Sequence, residues 1–218
     1  MKTVGQETQT LAQTGAQYPT ISHLLAGPVD VHSALTLAYF AVKNCLTTVG
    51  VILHDGDGVL LIEPARAPAG AGVNIFLQEK AKYLRDTSFA QVALRGLSEE
   101  LGLAPRDVTF HPGVVSWFEN RLPRRRTEGI RTTKCIVYVA VRIKASAIIR
   151  LNPKEIRGMA YVTSCDDYMS AVRTIERSRP HKWIGQTEAL MSAVDAGLLS
   201  GERWKEFRHQ ARLGQSTH

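Results

Sequence analysis

Two adjacent carboxylates close to an arginine are the part of this chain best suited to chemistry. Glu99 and Glu100 follow Arg95 in a segment whose apolar residues recur every three or four positions. This spacing predicts an amphipathic helix, on which Glu99 lies one turn after Arg95. Paired carboxylates offer the oxygen ligands that a hard divalent cation prefers. The segment therefore predicts a cation site, although a solvated helix face with an internal ion pair has the same pattern.

The helix that must position these residues has recognisable ends. Ser88 is a favourable N-cap, and Gly102 followed by Pro105 supplies a stop signal. The predicted helix therefore occupies the residues between Ser88 and Gly102. Its buried stripe consists of Phe89, Val92, Ala93, Leu97 and Leu101.

Residues 95–103, Arg-Gly-Leu-Ser-Glu-Glu-Leu-Gly-Leu, resemble the signature helix of the Nudix hydrolases. The family pattern is Gly, five residues, Glu, seven residues, then Arg-Glu-U-x-Glu-Glu-x-Gly-U, with U a bulky apolar residue. The matching positions are Arg95, Leu97, Glu99, Glu100, Gly102 and Leu103.

Four positions depart from the family pattern or complicate it. Gly96 stands where the family has a catalytic, metal-binding Glu. Thr87 replaces the upstream Glu and Ala81 replaces the first Gly. Asp86 lies one residue out of register and could take the place of the upstream Glu if the loop carries an insertion.

The resemblance implies an α/β fold, specifically an α/β/α sandwich with a mixed β-sheet. It also implies Mg²⁺- or Mn²⁺-assisted attack of water on a diphosphate linkage. Glu99, Glu100 and Arg95 would be the catalytic residues, with Arg95 orienting Glu99. Glu99 and Glu100 would bind the metal, and a further acid would come from a later loop, as Glu119 or Glu128.

The strands predicted around the helix fit the same fold. Residues 47–53 and 59–63 are β-branched and apolar, and the Asp/Gly-rich residues 54–58 between them predict a hairpin. Residues 73–77 predict another strand before the helix. Two segments around a Pro112-Gly113 turn, and then residues 133–143, predict strands after it.

Basic residues near the helix offer a second kind of chemistry. Lys80 and Lys82 precede it, and the arginine-rich segment 121–131 contains Arg124, Arg125 and Arg126. These five residues are candidate phosphate-binding groups, because arginines and lysines bind phosphate oxygens strongly. The same segment could hold an RNA backbone. Solvated surface charge is the alternative for all of them.

The bulk properties bound the class of protein. The chain has 218 residues and a formal charge of +7, which favours phosphate-rich or other acidic partners. Three widely spaced cysteines predict a reducing compartment, and we expect a cytoplasmic location. No apolar run is long enough to cross a membrane. The predicted division is a flexible leader over 1–34, one domain over 35–200, and a basic tail over 201–218.

Two classes of function follow from the partial signature. In the first, the chain is a divergent Nudix hydrolase that cleaves a nucleoside-diphosphate-linked compound. In the second, it is a non-catalytic module that binds a nucleotide-derived small molecule or RNA. A subunit of a larger complex is a third possibility, and an N-terminal helix could support a homodimer. The retained Arg95, Glu99 and Glu100 favour the hydrolase.

Overall fold

A computed structural model describes residues 21–43, 45–66, 75–121, 133–176, 184–200 and 202–204. The helices are α1 (Ile21–Leu25), α2 (Ala34–Val42), α3 (Phe89–Leu101), α4 (Cys165–Glu176) and α5 (Ile184–Asp195). The strands are β1 (Cys45–His54), β2 (Val59–Pro64), β3 (Leu77–Lys80), β4 (Val108–Arg121), β5 (Thr133–Ile143) and β6 (Ile156–Val162). Short 3₁₀ turns occupy Pro105–Asp107 and Glu202–Trp204.

The strands form one mixed six-stranded sheet centred on β1. The order is β4-β5-β1-β2-β6, and β3 also pairs with β1. The β1–β5 pair is parallel and the other pairs are antiparallel. Because β2 meets β1 only at Leu53 and His54, the earlier part of the same edge is available to β3.

Buried side chains cover both faces of the sheet. One face packs against α1, α2 and α3 through residues such as Val49, Val51 and Leu97. The other packs against α4 and α5 through residues such as Ile52 and Tyr168. The predicted α/β/α arrangement with a mixed sheet is therefore confirmed. No helix in the described part of the chain is both long and apolar enough to span a bilayer.

The ends predicted for α3 are present in the structure. The Ser88 hydroxyl accepts a hydrogen bond from the Gln91 N–H at 3.2 Å. Gly102 adopts the left-handed conformation, with a φ of 66°. Its N–H donates to the Ser98 carbonyl, and the Leu103 N–H donates to the Leu97 carbonyl. These contacts satisfy backbone groups that a helix terminus otherwise leaves without partners.

Gly102→Ala should lower the free energy of unfolding by about 1 kcal/mol or more, because a side chain is disfavoured at positive φ. An added Cβ would also lie only 3.1 Å from the Arg150 Cβ. Gly197→Ala is the matched control, since its φ is 70° but nothing lies within 4 Å of the added Cβ. Urea denaturation of both variants would separate backbone strain from crowding, and equal losses would contradict the crowding contribution.

Two strand predictions were wrong in detail. Pro112 and Gly113 do not form a turn, because β4 continues through them with a shift in register. An edge strand tolerates proline at such an irregularity, and here the N-terminal segment pairs alongside it. Val31 N–H donates to the Pro112 carbonyl at 2.9 Å. The strand predicted over 73–77 instead begins at Leu77, and residues 73–74 lie outside the described residues.

Parts of the predicted leader and tail belong to the packed structure. Leu24, Val29 and Val31 are buried although they precede residue 35. Trp204 is also buried, and its indole N–H donates to the Asp57 carbonyl at 2.8 Å. Packing therefore extends past both predicted boundaries, and residues 1–20 and 205–218 lie outside the described part of the chain.

His54, at the end of β1, gives the fold a pH-dependent contribution. Burial, together with the positive charges of Arg142 and His111, lowers the pKa of His54 to about 4, and Asp55 opposes this only in part. In the unfolded chain a histidine binds a proton near pH 6.5. As the pH falls, His54 is therefore protonated in the unfolded state before it is protonated in the folded state, and this favours unfolding. Stability from this group is present above pH 6.5 and falls as the pH drops towards 4.

We expect the free energy of unfolding to lose on the order of 2 kcal/mol through His54 between pH 7 and pH 5. His54→Asn should remove this part of the pH dependence, whereas the exposed His32→Asn should retain it. Urea titrations at the two pH values would measure the difference. An equal pH dependence in wild type and His54→Asn would contradict the assignment.

Candidate functional site

Arg95 is the centre of a largely buried ion-pair network at the start of the candidate site. Its Nε and Nη2 donate to the two oxygens of Asp86, at 3.1 and 2.8 Å. Its Nη1 donates to Glu79 Oε1, and its Nη2 also donates to the Lys80 carbonyl. Only 2% of the Asp86 side chain and 10% of the Arg95 side chain are exposed. The planar guanidinium therefore joins β3, the loop before α3 and α3 itself.

Arg95 and Asp86 each stabilise the charged form of the other. Burial alone would raise the pKa of Asp86, but hydrogen bonds from Arg95 and the Lys82 N–H hold it below its usual range. The hydrogen bond with Asp86 in turn raises the pKa of Arg95, with Glu79 adding to the effect. Asp86 is therefore an ion-pair partner of Arg95, which the sequence had not predicted.

The predicted pairing of Arg95 with Glu99 is only a minor contact. Arg95 Nη1 lies 3.9 Å from Glu99 Oε2, and 52% of the Glu99 side chain is exposed. Asp86 and Glu79 hold the guanidinium instead, since buried charge-assisted hydrogen bonds outweigh an exposed helix pair. The predicted i,i+4 contact is therefore present, but Asp86 and Glu79 are the closer partners of Arg95.

Gly96 faces β3 at very close range. A Cβ built on Gly96 would lie 2.9 Å from Leu77 Cδ2, 3.1 Å from Glu79 Cβ and 3.4 Å from Glu79 Cγ. Leu77 and Glu79 point the same way because alternate residues of a strand share a face. The close helix–strand contact gives a packing reason for glycine at a helix interior, where it otherwise costs about 1 kcal/mol relative to Ala.

The carboxylate end of α3 is anchored by a segment after β5. Asn152 donates its side-chain amide to the Glu99 carbonyl at 3.1 Å and its backbone N–H to the Glu100 carbonyl at 2.9 Å. The Arg150 N–H donates to the Leu101 carbonyl. Because these bonds satisfy carbonyls at the helix terminus, they hold the backbone that carries Glu99 and Glu100 in place.

Glu100 lies in a crowded acidic environment. Burial first, and then the nearby carboxylates of Glu79, Glu155 and Glu99, together raise the pKa of Glu100 to about 7. Like charges this close disfavour simultaneous ionisation. A local excess of negative charge in a chain of formal charge +7 favours a cation at this position.

The chemistry of these donors fits the divalent cation that the resemblance implies. Carboxylate oxygens are the ligands that Mg²⁺ takes, and Mg²⁺ commonly uses only one or two of them, with waters and substrate phosphates completing the shell. Among the described residues, no three His, Cys, Asp or Glu side chains converge into a ready-made metal cage. Glu99 and Glu100 are therefore the residues that would hold the ion, and other ligands would complete its coordination shell.

The remaining predicted site residues are distributed differently. Glu119 lies opposite Cys135 on β5, so β5 and β1 separate it from β3, and its role as a metal ligand stays a prediction. Lys80 and Lys82 are exposed, and the Lys80 side chain points to the sheet face opposite Glu79. Arg124, Arg125, Arg126 and Glu128 lie outside the described residues, so their predicted roles stay predictions.

Sequence reasoning missed Glu79, which the structure brings to the same region as the α3 carboxylates. The signal was present but weak, because Leu77 and Glu79 are two residues apart and a strand places both on one face. The strand predicted over 73–77 ended before Glu79, so its inward position was not recognised.

Comparison with known proteins finds similarity only to solved structures. No family model and no curated protein matches the chain. A C. elegans Ap4A hydrolase binary complex has 14% identity and a TM-score of 0.42, covering 61% of this chain and 96% of that one. A MutT Nudix hydrolase from Burkholderia pseudomallei has 15% identity and a TM-score of 0.38, covering 62% and 98%. The E. coli ORF135 protein has 18% identity and a TM-score of 0.44, covering 72% and 95%. Similarities this distant leave activity and substrate to be tested directly.

Proposed function

We propose that this chain is a divergent Nudix-type hydrolase that cleaves a diphosphate linkage in a nucleoside-diphosphate-linked compound with Mg²⁺ or Mn²⁺. The observation that carries the proposal is the acidic end of α3. Burial and the Glu79, Glu155 and Glu99 carboxylates raise the pKa of Glu100 to about 7. Carboxylates crowded together in a positively charged chain favour the binding of a cation.

Each part of the site has a distinct task in this proposal. Glu99 and Glu100 hold the divalent cation, and the exposed Glu99 side chain has freedom to adjust to it. Bound there, the cation would neutralise phosphate oxygens and favour attack by water. Arg95 positions the site by joining Asp86 and Glu79 across the base of α3. Exposed Lys82 is a candidate contact for outer phosphates.

A substrate panel tests the proposal directly. The full-length chain would be incubated with ADP-ribose, nucleoside triphosphates, dinucleotides, sugar nucleotides and capped RNA, each with Mg²⁺, Mn²⁺ or chelator. We expect release of a nucleoside monophosphate or phosphate from at least one class, and only with metal. Absence of metal-dependent release across the panel would contradict the hydrolase.

A non-catalytic module is the alternative, and Gly96 favours it because glycine supplies no ligand. The same panel distinguishes the two functions if binding is measured beside turnover. Binding of a nucleotide-derived compound or RNA without metal and without release would support the module. RNA binding that depends on Arg124, Arg125 and Arg126 would locate that function on the arginine-rich segment.

A further inference from the structure

We infer that the carboxyl ends of β1 and β5 carry a second binding site, which takes a phosphate-type oxyanion. Its donors are four side chains, here called the donor row: His54, Thr109, His111 and Arg142. The row lies on the sheet face that packs against α4 and α5, whereas α3 and its carboxylates lie on the other face. The site is therefore separate from the proposed catalytic site, and the inference does not depend on the proposed function.

Strand register places these side chains next to one another. His54 is the partner of Arg142 in the parallel β1–β5 pair, and Arg142 is the partner of Thr109 in the antiparallel β4–β5 pair. Paired residues of neighbouring strands direct their side chains to the same face of a sheet. That face is the one covered by α4 and α5, because Ile52, two residues before His54, packs there. His111 follows Thr109 by two residues, and its charge acts on His54.

His54 is the buried end of the donor row and has a ring nitrogen without a partner. Only 6% of the residue is exposed, and Nδ1 has no hydrogen-bond partner in the described part of the chain. A buried polar atom that lacks a partner is unfavourable and is uncommon in folded proteins. An oxyanion would supply acceptor oxygens for an N–H at this nitrogen. The unpartnered Nδ1 therefore indicates that a ligand belongs beside the ring.

Arg142 supplies positive charge on the open side of the site. Its Nε donates to the Asp55 carbonyl at 3.2 Å, which holds the guanidinium over the β1–β2 turn. Gly56 leaves room for it, since a Cβ there would lie 3.4 Å from Nη2. Arg142 is exposed, and among the described residues its Nη1 and Nη2 have no acceptor. Two such nitrogens can donate side by side to two oxygens of a phosphate group.

The neighbouring carboxylate is occupied elsewhere. Asp55 Oδ1 accepts hydrogen bonds from the N–H groups of Asp57 and Gly58, at 2.9 and 3.0 Å. Oδ2 accepts a hydrogen bond from the Tyr161 hydroxyl at 2.6 Å. No ion pair joins Arg142 to an acidic side chain within the part of the chain that the structure describes. The donor row therefore keeps its positive charge, which favours an anion over a metal ion.

The protonation of His54 is consistent with an anionic ligand. Burial and the positive charges of Arg142 and His111 lower the pKa of His54 to about 4, and Asp55 opposes them only in part. An oxyanion among these groups would act in the same direction as Asp55 and would raise the pKa. A cation in the same place would add to the existing repulsion.

The test is binding of inorganic phosphate to the full-length chain, measured by calorimetry at low ionic strength without metal. Arg142→Gln should weaken the Kd for phosphate about 10- to 100-fold, because it loses charge-assisted hydrogen bonds. His54→Phe keeps a ring of similar size but has no donor, and we expect a loss of about 10-fold. Failure of wild type to bind phosphate at millimolar concentration would overturn the inference.

Arg106→Gln is the matched control for loss of one positive charge. Arg106 lies on the turn before β4, outside the donor row, and 89% of its side chain is exposed. We expect its Kd to equal that of wild type. Losses of equal size in Arg106→Gln and Arg142→Gln would mean that phosphate responds only to overall charge. Unchanged binding by His54→Phe would mean that no ligand reaches the buried ring. Either result would overturn the inference.

Nuclear magnetic resonance of the histidine rings gives a readout that needs no variant. In the ¹⁵N-labelled wild type, with ring signals assigned through the side chains, saturation with phosphate should shift the Nδ1 resonance of His54. An unchanged His54 ring would overturn the inference, and this measurement decides if His54→Phe does not fold.

Adenosine monophosphate, used in the same titrations, distinguishes two sources of the phosphate group. Exposed Arg142 and Thr109 form the outer side of the site, so a phosphomonoester could extend from it into solvent. Binding of adenosine monophosphate that is weakened by Arg142→Gln would support the site with a phosphomonoester as its ligand. Binding of inorganic phosphate alone, with the same dependence, would support it with the free anion. Neither outcome relies on turnover, so a failure of the hydrolase in the substrate panel and a failure of this site are distinguishable.

Discussion

Glu100→Gln is expected to abolish divalent-dependent turnover, with a loss in kcat of at least about 10²- to 10³-fold. Glu100 is the partly buried carboxylate at the acidic end of α3, and glutamine has neither the charge nor the affinity to hold a divalent cation. The measurement is turnover of the best substrate of the panel at saturating Mg²⁺. Unchanged turnover would remove Glu100 from the site.

The stability of the same variant separates loss of function from loss of fold. Burial and neighbouring carboxylates raise the pKa of Glu100 to about 7, so its charged form is disfavoured in the folded protein. A group with a raised folded pKa loses its stabilising contribution as the pH rises through that value. Neutral glutamine should therefore leave the metal-free fold as stable as wild type, or more so, at pH 8. Glu188→Gln is the control for removing an exposed charge.

Arg95→Ala should produce the largest loss of stability, about 3 to 5 kcal/mol in the free energy of unfolding. The substitution leaves the Asp86 and Glu79 carboxylates without their shared cation, and only 2% of the Asp86 side chain is exposed. Removing one partner of a buried pair is costly because the other charge stays buried. It also disconnects the Lys80 carbonyl from α3.

Arg106→Ala is the matched control for the arginine substitution. Its guanidinium lies 3.9 Å from the Asp107 carboxylate, and 89% of the side chain is exposed. Such surface pairs contribute about 0 to 1 kcal/mol. Urea denaturation of the two variants at pH 7.5 gives the comparison. A loss in Arg95→Ala no larger than that in Arg106→Ala would mean that the buried network adds little to stability.

Local signals in the sequence predicted the framework of the site. Ser88 and Gly102 are the ends of α3 because side-chain capping and positive φ are properties of single residues. The β1–β2 hairpin follows from β-branched runs around an Asp/Gly turn. These features depend on neighbours in sequence, so periodicity and residue type are enough to find them. The position of Glu99 and Glu100 on one end of α3 was predicted in the same way.

Contacts between distant segments decided how the site is assembled. The helix spacing predicted the contact of Arg95 with Glu99, but it did not predict the closer partners Asp86 and Glu79. Water screens the exposed Arg95–Glu99 pair. The more buried carboxylates of Asp86 and Glu79, which come from two other segments, accept hydrogen bonds from the guanidinium. The meaning of Gly96 likewise depends on β3, since only the register of that strand on β1 brings Glu79 over the glycine. Register is set by the whole sheet and its packing, which a local pattern does not contain.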